Sequence, residues 1–166
     1  MSPHIFTEEF SMIFALTSIA RILMISAATF ALTAGSTSAA DNGLLVRPSR
    51  YSVSDTVEKI EVAARARGLV VFARIDHAAE AQKAGLTMMP IVLIVIGSPK
   101  AGTPVMQAAP SAAIDLPLKA LVAESADGST TVTVNDPAYL RARHGLPEEL
   151  QKNVSGLGPL LDATLQ

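Results

Sequence analysis

Gly85-Leu-Thr-Met-Met-Pro-Ile-Val-Leu-Ile-Val-Ile-Gly-Ser-Pro-Lys100 is the stretch whose reading decides the fold. Its centre, Ile91-Val92-Leu93-Ile94-Val95-Ile96, holds no polar residue and is bounded by Pro90 and by Gly97-Ser98-Pro99. A short apolar run in that frame reads as a strand, and its lack of polar alternation reads as burial on both faces. It is too short to cross a bilayer as a helix and has no 3.6-residue stripe. The expectation is a central strand that neighbouring elements must cover.

Working outward towards the N-terminus, Leu69–Ile75 reads as a second strand, closed by Asp76-His77. Asp76 can cap a short alanine-rich helix, 78–84, that Gly85 stops. Before it, Val53, Val57, Ile60 and Ala64 recur at helical spacing while Glu58, Lys59, Glu61 and Arg65 fall on the other side. That pattern predicts a helix over 55–67, capped by Ser52 or Ser54 and ended by Gly68. Residues 44–52 read as a first strand, with Pro48 indicating an edge.

Towards the C-terminus, 97–102 reads as a loop, and Thr103-Pro104 as a capping hydroxyl followed by a first-turn proline for a helix over 105–108. Residues 116–124 and 130–134 predict a hairpin around Asp127-Gly128. Thr131-Val132-Thr133-Val134 alternates, so that strand should have one solvated face. Asn135-Asp136-Pro137 starts a further helix that Gly145 ends, and Pro147-Glu148-Glu149 opens another. The tail from Gly156 to Leu165 is a last short helix or a docking arm.

Composition narrows the function classes. Net charge is −2 with no basic cluster, and beyond residue 40 the aromatics are Tyr51, Phe72 and Tyr139. Neither a phosphate-backbone partner nor base stacking suits that surface, so no nucleic-acid partner is expected. There is no cysteine, which removes thiol catalysis, disulfides and thiolate metal sites.

Residues 1–40 read as a targeting segment, leaving 41–166 as one domain. Arg21 precedes an apolar run, 22–34, and Ser38-Ala39-Ala40 puts small residues before a cut at Asp41. Glu8, Glu9 and a second apolar patch, 12–20, precede it, so a start at Met12 or an uncleaved anchor are alternatives. The address is periplasmic or secreted, with membrane contact only through an uncleaved leader.

Each candidate for chemistry has a structural alternative. Gly97-Ser-Pro-Lys-Ala-Gly102-Thr103 follows a strand like a phosphate loop, but no Lys follows Gly102 and Pro104 stands where the metal-binding hydroxyl belongs. Ser98 on that turn is followed by Pro99, which has no amide for an oxyanion. Asp76-His77 at a strand end can aim a carboxylate and an imidazole into one crevice, or serve as a helix cap and a surface histidine. His144 falls in a helix's last turn, where a cation is favoured. Asp115 before a strand suits a turn. Met88 and Met89 read as core filler or interface contacts. No spacing pre-assembles a metal site, so no metal and no cofactor are expected.

Together, Ile75-Asp76-His77-Ala78, Gly85, Pro90, Gly97-Ser-Pro-Lys-Ala-Gly-Thr-Pro104, Ala113-Ile-Asp-Leu-Pro-Leu118 and Asn135-Asp-Pro137 resemble the domain-of-unknown-function family numbered 302. The resemblance runs from about Arg50 to Leu146. It implies an α+β domain in β-α-β-β-β-β-α order, frequent homo-oligomers, and no established reaction. Many relatives carry Asn where this chain has Ser98, and a polar or basic residue where it has Met89, which tilts that surface towards apolar contact.

The resulting expectation is an α+β fold, a mostly antiparallel sheet of four or five strands with helices packed on it. The function expected is a non-catalytic binding or interaction module for a small molecule or a protein, with a homodimer as one assembly. Its ligand-binding candidates are Asp76, His77, Ser98, Lys100 and Asp115. The alternative is a small enzyme or metal-assisted site on Asp76, His77 and Asp115.

Overall fold

The computed structural model describes residues 42–166; the expected leader lies outside them. Five strands, β1 (Leu44–Ser49), β2 (Val70–Asp76), β3 (Ile91–Gly97), β4 (Leu118–Glu124) and β5 (Thr130–Asn135), form one sheet. Its order is β1-β5-β4-β3-β2, and every pairing is antiparallel. The α+β expectation is met, and the sheet, expected to have four or five strands, has five.

Helix α1 (Val53–Ala66) packs across the sheet as its apolar stripe requires. Val53, Val57, Ile60 and Ala64 are all buried, and the Ser52 side chain accepts from the Asp55 amide at 3.1 Å. At the other end Gly68 takes φ +70°, a left-handed conformation that a β-carbon would strain. The tail is a docked helix, α6 (Leu157–Thr164), lying against α1 and burying Leu157, Leu160 and Leu161. Helix α2 (His77–Lys83) follows β2, with Asp76 Oδ1 accepting from the Ala79 amide at 3.0 Å.

A second buried cluster sits beyond the Gly97 end of β3. There α3 (Pro99–Ala108), a 3-10 turn (Pro110–Ile114), α4 (Pro137–His144) and α5 (Gln151–Val154) gather Val105, Ala112, Leu140, Leu146 and Val154. The start of α3 corrects the expectation of a loop over 97–102. Ser98-Pro99 opens the helix, and Pro104 is carried inside it. Two proline starts compete here; Pro99 takes the first position of the helix, where no amide partner is needed.

The reading of β3 needs a larger correction. Val92, Ile94 and Ile96 are at most 4 % exposed beneath the helices, whereas Ile91, Leu93 and Val95 on the opposite face are only half-buried. The strand alternates in burial although its sequence does not alternate in polarity. Helices α1 and α6 supply residues to the buried cluster of the first face, and no helix of that cluster covers the second.

Candidate functional site

The register of β2 turns Arg74 and Asp76 to the helix side of the sheet, opposite Ile94 and Val92 on β3. At this edge the helices stop short, and a cavity of about 580 Å3 opens between β2, α2, the first turn of α1 and the 86–90 segment. Its walls combine Val53, Leu86, Met88, Pro90 and Val92 with Ser54, Arg74, Asp76, Gln82 and Glu124. An apolar body with a few convergent polar groups is the composition of a small-molecule site, and the volume falls in the range such sites occupy.

Charge in the cavity is of both signs. Among the described residues no hydrogen bond or ion pair engages the Arg74 guanidinium or the Glu124 carboxylate. Asp76 is half-committed: Oδ1 holds the Ala79 amide, and among the described residues nothing bonds Oδ2. One guanidinium and two carboxylates thus face a concave space with bonding capacity to spare. Nearby, Lys83 is drawn into a 2.7 Å pair with Glu80, and that bond holds its ammonium pKa above the usual lysine value.

The other candidates lie elsewhere. His77 is the exposed first residue of α2 and does not line the cavity. Met88 and Met89, at 40 % and 43 % exposure, are surface residues rather than core filler. Ser98 and Lys100 are at the Gly97 end of β3, Ser98 lining a separate cavity of about 140 Å3 and Lys100 exposed on α3. Asp115 also sits at that end, just before β4, whose Leu118 pairs with Ile96. Asp76 pairs with Val92, four residues away along β3, about 13 Å at the usual strand rise. The arrangement therefore does not bring Asp76 and His77 together with Asp115.

Asp115 has a histidine partner that local spacing did not indicate. His144 Nε2 lies 2.7 Å from Asp115 Oδ2, and Arg143 reaches the same oxygen at 3.4 Å. Ser111 Oγ is 3.1 Å from His144 Nδ1. A carboxylate only accepts, so Nε2 carries the proton and Nδ1 is left to the serine. Serine, histidine and carboxylate are linked as in a nucleophile relay, but the ring is turned end for end relative to that template. The two side chains are 5 % and 14 % exposed and join the 3-10 turn to the last turn of α4. This is a clamp between elements of the second cluster.

His144→Ala should therefore cost about 1–3 kcal/mol, because it strips a charge-assisted bond from a largely buried carboxylate. Urea unfolding reads this, with Ser111→Ala near neutral as the control. A loss below about 0.5 kcal/mol, as for an ordinary surface change, would remove the clamp from the account. Among the described residues no three His, Asp or Glu side chains gather as metal ligands would.

Five antiparallel strands with helices on one face, and a mixed-charge cavity at one sheet edge, define a small α+β domain. Residues 45–163 match the family described as "Domain of unknown function DUF302", and the chain belongs to that family. The matched region extends past Leu146 into α6, ending one residue before its last. By structure the chain is similar to the uncharacterized conserved protein DUF302 from Bacillus stearothermophilus. That likeness has a TM-score of 0.63 at 20 % identity and covers 75 % of this chain and 96 % of that one, which supports the fold alone.

By sequence it is similar to the Fluoride-specific ion channel FluC 1 of Brucella suis and of Brucella abortus. Each is 44 % identical over 106 residues, or 64 % of this chain. The chain spans only 42 % and 39 % of those two proteins. Among the described residues no helix is long and apolar enough to cross a membrane.

Proposed function

We propose that this DUF302 domain is a non-catalytic binding module whose ligand occupies the cavity between β2, α2 and the first turn of α1. One observation carries the reading: Arg74 and Glu124 line one concave, partly apolar space, and no protein partner neutralises either among the described residues. A protein that leaves opposite charges without partners beside an apolar wall forgoes bonds that a ligand can supply. The ligand class that fits is a small zwitterion with an apolar body, its anion towards Arg74 and its ammonium towards Asp76 and Glu124. The extracytoplasmic address belongs to the same proposal and rests on residues 1–40. Ion conduction, which the names of those relatives state, is not carried over, because this chain spans only 42 % and 39 % of them.

Calorimetry with free leucine, with its amide (cation only) and with 4-methylpentanoate (anion only) tests this. Leucine should bind saturably, and each single-charge analogue about ten-fold or more weakly, the worth of one charge-assisted bond. Arg74→Ala should weaken leucine by a similar factor. Equal binding of all three probes, or no saturable heat from any, would overturn the reading.

A further inference from the structure

A smaller cavity, of about 140 Å3, lies where the two buried clusters meet. It is walled by the end of β3, the first turns of α3, the approach to β4 and the turn from α5 into α6. Ile96 and Leu157 belong to the first cluster, and Leu116 packs against the second. Three glycines line the space. Gly97 has a packing reason, since a β-carbon there would stand 3.0 Å from Pro117 Cβ. Gly102 has none. Its φ is outside the left-handed region, and a β-carbon would meet Met106 and Leu116 at ordinary contact distances of 3.8 and 3.9 Å. Gly156 is likewise unforced, at φ −63° with nothing within 4 Å of a β-carbon. A glycine inside a helix is less stable than alanine, so Gly102 weakens α3 and leaves the cavity open.

The polar groups on its wall have bonding capacity to spare. Ser98, at the head of α3, caps nothing, and among the described residues its hydroxyl has no hydrogen-bond partner. Asn153 Nδ2 donates to the Ala101 carbonyl at 3.0 Å, which fixes the amide and leaves Oδ1 without a partner among the described residues. Lys152 is the one charged residue in the lining, and it is exposed.

We propose that this cavity is a second ligand site, for a small uncharged molecule with an apolar body and one hydroxyl, phenol being the simplest example. The size fits, because an apolar cavity of about 150 Å3 holds a benzene ring. The ligand hydroxyl accepts from Ser98 and donates to Asn153 Oδ1, while the ring lies against Ile96, Leu116 and Leu157. Charged molecules are excluded, since an ion among these walls would lose its water and gain no buried partner. The site shares no residue with the cavity at the β2 edge and does not depend on what that cavity binds.

Amide chemical shifts of nitrogen-15-labelled protein, titrated with phenol and separately with benzene to about 10 mM, test the site. Both should give saturable shifts at Ser98, Gly102, Asn153 and Leu157, and none at Arg74 or Glu124. Ser98→Ala should weaken phenol about three- to ten-fold, the worth of one neutral hydrogen bond, and leave benzene unchanged. Gly102→Leu, whose side chain would enter beside Leu116, should abolish binding of both. Gly102→Ala guards against a misfolded leucine variant. It should raise the melting temperature through its better helix propensity and still weaken both probes about ten-fold, because its methyl crowds the bound ring. No saturable shift from either probe would overturn the proposal. So would binding unchanged in Gly102→Ala, or an equal loss of phenol and benzene in Ser98→Ala.

Discussion

Truncation after Gly156 is expected to abolish cooperative folding. The deleted residues bury Leu157, Leu160, Leu161 and Leu165, each at most 6 % exposed. Four fully buried leucines are worth about 1.5–3 kcal/mol each, hence roughly 6–12 kcal/mol together. That is an upper bound, because the unfolded chain already shelters part of this surface. It is nonetheless comparable to the whole stability of a domain, about 5–15 kcal/mol. The loss also uncovers α1, whose Val57 and Ile60 share that cluster. Circular dichroism melting reads the outcome. A truncated chain that still melts cooperatively, within a few degrees of the full one, would show that α6 is an appendage.

The second large effect falls on β3. Ile94 is fully buried at the centre of the strand, between Arg74 and Ala120 in the register and among the residues beneath α1. Ile94→Ala should destabilise by about 2–5 kcal/mol, the transfer loss plus the cavity it leaves, while Ile94→Val should cost only about 0.5–1.5. Leu93→Ala, one residue along but on the face away from α1 and α6, should cost clearly less. Equal costs at 93 and 94 would contradict the one-sided burial.

That contrast marks where the sequence was legible. The bounds of β3, the cap at Ser52, the cap at Asp76 and the turn at Asp127-Gly128 each depend on residues within a few positions, and each was readable. The one-sided burial of β3 was not, because a continuous apolar run describes a strand covered on both faces as well as one covered on a single face. The start of α3 was ambiguous for a local reason: Pro99 and Pro104 both signal a first turn, and residue type alone does not rank them. The 3-10 turn at Pro110–Ile114 has no periodic signal of its own.

For the candidate site the division is similar. Asp76 stood out as a strand-end carboxylate, but Arg74 and Glu124 did not. Their meeting is set by the register of three strands, with Glu124 two positions past Val122 and Val122 opposite Val92. Asp115 was singled out, and its partner His144 lies 29 residues away with no motif to join them. His77, the histidine the sequence made prominent, is an exposed residue beside the cap.

The central claim is that the cavity at the β2 edge is where this domain meets its ligand. Amide chemical shifts of nitrogen-15-labelled protein, titrated with leucine, test it most directly. The account predicts saturable shifts confined to residues around Ser54, Arg74–Gln82, Leu86–Met88 and Glu124, with Arg74→Ala and Glu124→Gln each moving the midpoint to about ten-fold or more higher leucine. Shifts that cluster elsewhere, around Ser98 and Asn153 for example, or that persist unchanged in both variants, would contradict it.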